Sequence, residues 1–363
     1  MATIKDIAEK LGVSVSTVSK GLNGGKDISE SLRRSVLDTA VELGYTNRRA
    51  RKEENRKLCL FVENMDYSDE DQFGYEIVLG FRQAAYKDRW EVDVLPAGHE
   101  FQAGNRYDAF MLEKGYSGSF ILGFSFDDPW MEQFASTDVP TVLLDNFIPA
   151  NPQVGQVGTD SEEAIDMAIE HLIELGHEKI AFLGGSRGSR VSDQRMLAYL
   201  NSMAWHHISI DPSMAVYGYY VSDAAKYHVP GFLDLGATAI LCGNDAIAAG
   251  VIDSVKEAGL RVPEDVSVVG FDDLPFAAHL TPPLTTIRQD RLELGKSGFF
   301  ILHALIEQVP LSRSMMRPAL IRRSSTAPAK PRIVTKRSAE KDSVLNVNPV
   351  LYEQHRRQMQ ELR

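Results

Sequence analysis

The chain has 363 residues and a formal net charge of −11, and 44% of its residues are hydrophobic. This composition is ordinary for a globular protein of roughly two or three domains, and it excludes wholesale disorder. The charge is unevenly divided: residues 1–57 carry +4, residues 58–328 carry −19 and residues 329–363 carry +4. A basic head, an acidic body and a basic tail therefore share one chain, and an acidic total does not exclude nucleic acid as a partner.

Two cysteines, Cys59 and Cys242, lie far apart within apolar runs. They indicate buried thiols in a reducing compartment rather than a disulfide framework. The N-terminus has no apolar stretch of the kind found in signal peptides. No apolar run approaches the ~20 residues that span a bilayer. We therefore expect a cytoplasmic protein without a membrane segment.

The basic head shows the pattern of three short helices. Residues 3–11 predict a first helix with one apolar face, which Gly12 ends. Ser14 is placed to cap a second helix over about 15–22, and a third helix is predicted over about 29–43. Two helices joined by a short glycine-containing turn, with a third helix closing a small core, predict a helix-turn-helix domain.

The second helix is short and rimmed with small polar side chains, so it fits a DNA major groove about 12 Å wide. We expect Val15, Ser16 and Lys20 to read base edges, because they offer a methyl contact, a hydroxyl and a cation. The residues expected to contact the DNA backbone are Thr3, Ser14, Thr17, Ser19 and Asn23. A three-helix bundle with a solvated polar face is the alternative interpretation.

Gly21 lies near the end of the second helix, where a larger apolar residue would be expected to pack. A glycine inside a helix costs about 1 kcal/mol relative to alanine. We interpret Gly21 as an early end of the helix.

From Leu58 onward, short apolar runs alternate with amphipathic stretches. The predicted buried strands are Leu58–Val62, Glu91–Leu95, Ser119–Phe124, Thr141–Leu144, Ile180–Leu183, Thr238–Cys242 and Val266–Phe271. The predicted helices are 75–89, 161–175, 192–204, 245–258 and 291–307. This alternation predicts an α/β core built on doubly wound parallel sheets. The core has roughly 270 residues, which is too long for a single sheet of this kind, so we expect two lobes.

Polar groups follow several of these strands, at the carboxyl ends where such sheets bind ligands. Asp145-Asn146, Asn244-Asp245 and Asp272-Asp273 each follow a strand, and Arg195 lies near the start of a helix after the glycine-rich loop 184–188. An acid in this place is often only a helix cap, and we assign Asp245 to that role. Together the groups predict a polar cleft.

No motif in the sequence indicates catalysis. The segment 184–188 lacks the Lys-Ser/Thr ending of a phosphate-binding loop. The spacing of His171 and His177 is not that of a zinc protease, and there is no Gly-x-Ser-x-Gly elbow. We expect no enzymatic activity, no cofactor and no metal.

Segments of the head and the body together resemble the lac-repressor/galactose-repressor family of bacterial transcription regulators, up to about residue 328. The segments that carry the resemblance are Thr3–Ala8, Gly12–Ser14, Thr17–Lys20, Gly176–Phe182, Gly259–Asp273 and Pro282–Ile287. The division that follows is a helix-turn-helix domain (1–46), a hinge (47–57), a periplasmic-binding-protein-like core (58–328) and a C-terminal extension (329–363). Within the core, the expected N-lobe is about 58–157 plus 288–318, and the expected C-lobe is about 158–287 plus 319–328.

The resemblance implies a homodimer that binds a near-palindromic operator in double-stranded DNA, most simply as a repressor. It also implies a small effector bound between the core lobes, with Phe73, Asp145, Arg195, Asn244 and Asp272 as contact residues. Two carboxylates, an amide and a guanidinium suit the hydroxyls of a saccharide better than a doubly charged phosphate. Phe73 would cover the apolar face of the sugar, or would simply belong to the core.

Two other functions remain as alternatives. One is an activator or a corepressor-dependent regulator of the same family. The other is a carbohydrate receptor that does not bind DNA.

The segment after Tyr45 departs from the family pattern. The residues expected in a hinge that contacts the minor groove are Asn47, Arg48, Arg49, Ala50 and Arg51. Glu53 stands where the family places a leucine that wedges into DNA, and a carboxylate buried against stacked bases is unfavourable. A hinge helix of about eight residues would form only with support from DNA and the paired subunit. A solvated, charged linker is the alternative.

The C-terminal extension begins with a polar stretch that predicts a linker. Its end carries a weak apolar stripe that could form an oligomerisation helix, a solvated helix or a disordered segment.

Overall fold

The computed structural model describes residues 2–25, 27–45 and 56–330. The predicted hinge residues 47–51, Glu53 and the extension beyond Lys330 lie outside the described residues. The chain divides into two units. The first contains the described residues of 1–69 together with 74–158 and 291–314, and the second contains 70–73, 159–290 and the described residues from Met315 onward. No described helix is both long and apolar enough to cross a membrane.

Helices and strands alternate through most of the described chain. The helices are α1 (Ile4–Leu11), α2 (Val15–Leu22), α3 (Glu30–Glu42), α4 (Phe73–Lys87), α5 (His99–Gly104), α6 (Tyr107–Lys114), α7 (Pro129–Phe134), α8 (Ser161–Glu174), α9 (Arg190–Trp205), α10 (Ala224–Asp234), α11 (Asp245–Glu257) and α12 (Arg291–Ile306). The strands are β1 (Lys57–Val62), β2 (Glu91–Pro96), β3 (Gly118–Leu122), β4 (Thr141–Leu144), β5 (Val154–Thr159), β6 (Ile180–Gly184), β7 (Ala215–Tyr217), β8 (Ala239–Cys242), β9 (Ser267–Asp272), β10 (Thr285–Arg288), β11 (Arg313–Met316) and β12 (Ala319–Ile321).

The first unit contains the head, residues 2–45, and an α/β body that we call the N-lobe. The N-lobe sheet has the strand order β11-β5-β4-β3-β1-β2, and β1 to β5 are joined by parallel pairings. Aromatic side chains pack on one face of this sheet, with Phe61 and Trp130 in edge-to-face contact at 5.0 Å between ring centroids. The prediction that the strand at Glu91–Leu95 is buried is wrong, because β2 lies at the edge of the sheet and is only partly covered.

The second unit is an α/β body that we call the C-lobe. Its sheet has the strand order β12-β10-β9-β8-β6-β7, and the pairings are parallel except for the antiparallel β12. Two apolar clusters cover this sheet, one involving α10 and α11 and the other involving α8 and α9. The predicted pair of parallel-sheet lobes is therefore confirmed, with the carboxyl ends of parallel strands at one edge of each sheet.

The three predicted helices of the head are present as α1, α2 and α3. Thr3 and Asp6 form a capping box at the start of α1, and the left-handed backbone of Gly12 ends that helix. The interpretation of Gly21 as an early helix end is wrong, because α2 continues through Leu22 and Gly21 is buried. A Cβ at Gly21 would lie 2.8 Å from Cγ1 of Val36. The glycine therefore allows α2 and α3 to approach closely.

Candidate DNA interface and effector site

The outer face of α2 presents the predicted base-reading residues to solvent. Val15 is 46% exposed although it is apolar, and Ser16 and Lys20 are also exposed. The opposite face of the helix packs into the head core through Val18 and Leu22, which are buried. This division leaves one polar, cation-bearing helix face that can enter a major groove.

The residues predicted to contact the DNA backbone also organise the ends of the head helices. Ser14 caps α2, because its hydroxyl accepts a hydrogen bond from the Thr17 amide at 3.1 Å. Asn23 Nδ2 donates to the Ser19 carbonyl oxygen at 2.7 Å at the other end of the helix. Thr3 caps α1. Their part in DNA contact stays a prediction.

Lys20 is held by a neighbouring acid. Its Nζ lies 2.7 Å from Asp27 Oδ2, and the two side chains are 50% and 68% exposed. The hydrogen bond from Lys20 lowers the pKa of Asp27, which keeps that carboxylate charged. The predicted contact of Lys20 with a base edge would therefore require its ammonium group to leave this carboxylate.

The helix cap at the carboxyl edge of the C-lobe is Asn244, and the assignment of Asp245 to that role is wrong. Asn244 Oδ1 accepts a hydrogen bond from the Ile247 amide at 2.8 Å. Asp245 is fully buried, and its carboxylate accepts from the Leu274 amide at 2.8 Å and from the Thr286 hydroxyl at 2.6 Å. Burial, and next the charge of Asp272, raise the pKa of Asp245 well above its usual value. The buried carboxylate of Asp245, which follows β8, therefore links the segment after β9 to strand β10.

Asp272 ends β9 and is paired with a residue that the sequence analysis missed. Its Oδ1 accepts a hydrogen bond from Gln289 Nε2 at 2.7 Å, and its backbone has a φ of 115°. Gln289 is buried, and its Oε1 has no hydrogen-bond partner in the described part of the chain. Gln289 follows β10, whose sequence Thr-Thr-Ile-Arg lacks the apolar pattern of the predicted strands and overlaps the family motif Pro282–Ile287. Recognition of that strand would have pointed to Gln289.

Arg195 lies on α9 with its guanidinium at the same edge of the C-lobe. It is 4% exposed, its Nη1 donates to the Gly243 carbonyl at 2.7 Å, and its Cζ lies 3.6 Å from the ring centroid of Phe271. Its Nε is buried without a hydrogen-bond partner among the described residues. The C-lobe edge therefore brings together Arg195, Asn244 and Asp272 as predicted, and adds Gln289.

The other two predicted contact residues belong to α4 and to the end of β4. Asp145 directly follows β4, is half-buried and has a left-handed backbone with a φ of 55°. Phe73 is the first residue of α4 and is also half-buried, so its side chain is not one of the fully enclosed core residues. Their contact with an effector stays a prediction.

A second pair of acids, Glu63 and Asp128, lies in loops that follow the N-lobe strands β1 and β3. Burial, and next the charge of Asp128, raise the pKa of Glu63 to about 7. Gln102 Nε2 donates to Glu63 Oε2, and the Ser125 amide donates to Asp128 Oδ2 at 2.6 Å. The sequence analysis did not single out these two acids, which are far apart along the chain. The nearby Asp128 carboxyl and burial thus place the pKa of Glu63 near neutral pH.

One described group outside these sites has donor atoms close enough for a metal ion. Asp166, Glu170 and His206 each bring one atom within 4.8 Å of the others. His206 Nε2 lies 3.6 Å from Asp166 Oδ1, to which the Ser202 hydroxyl also donates at 2.5 Å. These contacts involve Asp166 in both cases, and the absence of a metal stays a prediction.

Known proteins match both parts of the chain. A family model described as "Bacterial regulatory proteins, lacI family" matches residues 3–47, and one described as "Periplasmic binding protein-like domain" matches residues 169–326. The HTH-type transcriptional repressor PurR of Vibrio atlanticus is 28% identical over 330 residues, which are 90% of this chain and 98% of that relative. The HTH-type transcriptional repressor CytR of Escherichia coli is 29% identical over 309 residues, 83% of this chain and 89% of that relative.

Solved structures agree with the sequence relatives. The lac repressor dimer bound to operator and the anti-inducer ONPF is 26% identical, with a TM-score of 0.64, over 90% of this chain and 99% of that chain. A complex of the transcriptional regulator CelR with cellobiose is 24% identical, with a TM-score of 0.67, and supports the fold. The helix-turn-helix head, the two parallel-sheet lobes and these matches together lead to one conclusion. The chain belongs to the lacI family of bacterial regulatory proteins, which are DNA-binding regulators of transcription.

Proposed function

We propose that the chain is a sequence-specific transcription repressor that acts in the cytoplasm as a homodimer on a near-palindromic operator. The observation that carries the proposal is the exposed face of α2, where Val15, Ser16 and Lys20 project from a helix anchored by buried residues. The names of the PurR and CytR relatives support repression, and the lac repressor dimer bound to operator supports dimeric binding. The −19 charge of residues 58–328 would repel DNA and confine contact to the head and hinge.

The test is retention of genomic DNA fragments by the full-length chain at ~100 mM salt, where non-specific phosphate attraction is partly screened. We expect a small set of fragments that share a near-palindrome. Lys20→Ala should relax base preference, whereas Lys10→Ala, on α1 and paired with Glu42, should leave the preference unchanged. Absence of any site-specific retention would overturn the proposal.

The hinge residues are proposed to contact the phosphate backbone of the DNA. Arg48, Arg49 and Arg51 add positive charge directly after the head. Arg51→Ala should weaken all DNA sequences similarly and flatten the dependence of affinity on salt by about one counterion. A change of base preference in this variant would contradict the assignment.

The second part of the proposal is a small, sugar-like effector bound by the core. Four residues, Arg195, Asn244, Asp272 and Gln289, offer donors and acceptors at one sheet edge. Two of their atoms, Arg195 Nε and Gln289 Oε1, are buried without a hydrogen-bond partner within the described residues. Such atoms are costly unless a ligand or water satisfies them. A set with both donors and acceptors suits the hydroxyls of a saccharide.

The effector is sought by measuring operator affinity against a panel of sugars. Arg195→Ala should reduce sensitivity to the active compound by at least about tenfold, as expected for a lost charged hydrogen bond. Arg261→Ala is the matched control, because Arg261 lies before β9, at the opposite end of the C-lobe strands, and its exposed side chain pairs with Asp265. An unchanged response in Arg195→Ala would show that the assignment of this edge is wrong.

A further inference from the structure

Helix α3 of the head is joined to α6 of the N-lobe by a partly buried ion pair. Arg33 Nη2 lies 2.7 Å from Glu113 Oε1, and both side chains are only 24% exposed. Lys114 Nζ lies 3.6 Å from the same carboxylate oxygen. An ion pair with this burial is screened less by solvent than an ordinary surface pair, so its loss should be measurable.

Apolar and charged contacts extend this junction on both sides of the ion pair. Ala109 of α6 belongs to the same buried cluster as Ile7, Val18 and Val36 of the head, and Leu112 packs against that cluster. Arg106 Nη1, just before α6, lies 3.8 Å from Asp38 Oδ1 of α3. The apolar core of the head is thus continuous with one helix of the N-lobe.

The docked face of the head is not the face that reads DNA. Docking uses α3, whereas Val15, Ser16 and Lys20 of α2 remain exposed. The contact with α6 therefore fixes the head without covering its base-reading residues. A contact of this kind orients the head and does not block it.

We propose that α6 is a docking site for the head, so that the head and its own N-lobe meet the operator as one body. This inference rests on the proposed function and adds to it a route of regulation. A head attached by a linker alone would lose orientational freedom on binding, and a head already docked loses less. Two heads on a near-palindrome also require a defined spacing, which docking helps to set. A displacement of the N-lobe then moves the head directly, in addition to any effect through the hinge.

The test compares operator affinity in full-length variants. Glu113→Arg places a second guanidinium against Arg33 and should lower operator affinity about tenfold, as expected when a partly buried ion pair is replaced by repulsion. Added positive charge by itself strengthens attraction to phosphate, so a loss of affinity cannot result from the change in net charge. The charge-exchanged variant, Arg33→Glu with Glu113→Arg, should recover most of the loss.

Glu132→Arg is the matched control, because it makes the same charge change at an exposed residue of the N-lobe. It should bind operator as well as the unmodified chain or slightly better. Amide hydrogen exchange should be faster in α3 and α6 of Glu113→Arg and unchanged in β3, which would show that docking is lost while the N-lobe stays folded.

The outcomes separate the two proposals. If the unmodified chain binds operator and Glu113→Arg binds it equally well or more tightly, the docking proposal is overturned and the repressor proposal stands. If the charge-exchanged variant does not recover affinity, the Arg33–Glu113 contact is not the cause and the docking proposal is also overturned. If the unmodified chain shows no specific DNA binding, both proposals fail.

Discussion

Gly21 of α2 faces Val36 of α3 so closely that a Cβ at Gly21 would lie 2.8 Å from one methyl carbon of Val36 and 3.1 Å from the other. Both residues are buried in the head core, so neither can move away without loss of packing. The absence of a side chain at Gly21 therefore allows α2, the helix predicted to read bases, to lie close against α3.

Gly21→Ala should destabilise the head despite the better helix propensity of alanine. The propensity gain of about 1 kcal/mol is opposed by overpacking, which typically costs about 1–3 kcal/mol. We expect a net loss of about 1 kcal/mol in the free energy of unfolding, measured by urea denaturation with a helix signal from the head. Gly231→Ala in α10 is the control, because a Cβ there would meet no described atom within 4 Å beyond its chain neighbours and the nearby backbone of its own helix, and this change should be stabilising. Equal effects of the two substitutions would contradict the packing argument.

The elements predicted from the sequence are those whose local pattern agrees with their final environment. The helices α1 and α2 have clear caps at Thr3 and Ser14, and β4 is a short, wholly buried run in which three of four residues are apolar. Strand β5 (Val154–Thr159) was not predicted from the sequence, because its residues, Val-Gly-Gln-Val-Gly-Thr, do not form an apolar run although all six are buried. Helix α10, which contains Pro230 and is held by tertiary packing of Val229 and Phe232, was not predicted either. Local pattern cannot reveal elements that depend on packing.

The candidate effector site at the edge of the C-lobe sheet was only partly predictable from the sequence, because it too depends on packing. Asn244 and Asp272 follow apolar strands that the pattern identifies, so their place at the sheet edge could be inferred. The partner of Asp272, Gln289, follows a strand that was not recognised. Asn244 caps α11, whereas its neighbour Asp245 turns into the protein interior and accepts from the Leu274 amide. Nothing in the local sequence indicates which of the two side chains is the cap.

The ion pair between Lys20 and Asp27 gives a prediction about operator affinity, because Asp27 would compete with DNA for Lys20. Asp27→Asn removes the carboxylate that lies 2.7 Å from Lys20 Nζ, so Lys20 is freed to contact a base edge. Operator affinity should rise about two- to fivefold, as expected for an exposed ion pair. Glu9→Gln makes the same charge change on α1 and serves as the control for general attraction to phosphate. A rise of the same size in both variants, measured by fluorescence anisotropy, would exclude a specific role for Asp27.

Asp245 should tolerate an amide but not truncation. In Asp245→Asn, the amide oxygen can still accept from the Leu274 amide, and the amide nitrogen can donate to the Thr286 hydroxyl, which is also an acceptor. Asp245→Ala leaves both groups buried without partners and should cost about 2–4 kcal/mol in the free energy of unfolding. Denaturation of the two variants side by side tests this. Similar losses in both would show that the negative charge, rather than the hydrogen bonds, holds these segments together.

The Glu63–Asp128 pair should make stability depend on pH near neutrality. The pKa of Glu63 is raised from 4.5 to about 7, first by burial and then by the charge of Asp128. An acid whose pKa is raised in the folded state contributes stability that is fully present below its unfolded pKa and is lost as pH rises through the folded value. The unmodified chain should therefore lose this contribution between about pH 5 and pH 8.

Glu63→Gln should abolish that loss, because an amide cannot ionise and can still donate to the Asp128 carboxylate as the protonated acid does. The measurement is the free energy of unfolding of both proteins at pH 5 and at pH 8. We expect the stability of Glu63→Gln relative to the unmodified chain to be higher at pH 8 than at pH 5. Glu91→Gln, at an exposed residue of the edge strand β2, should show the same pH dependence as the unmodified chain. Parallel pH profiles for Glu63→Gln and Glu91→Gln would show that Glu63 does not titrate in this range.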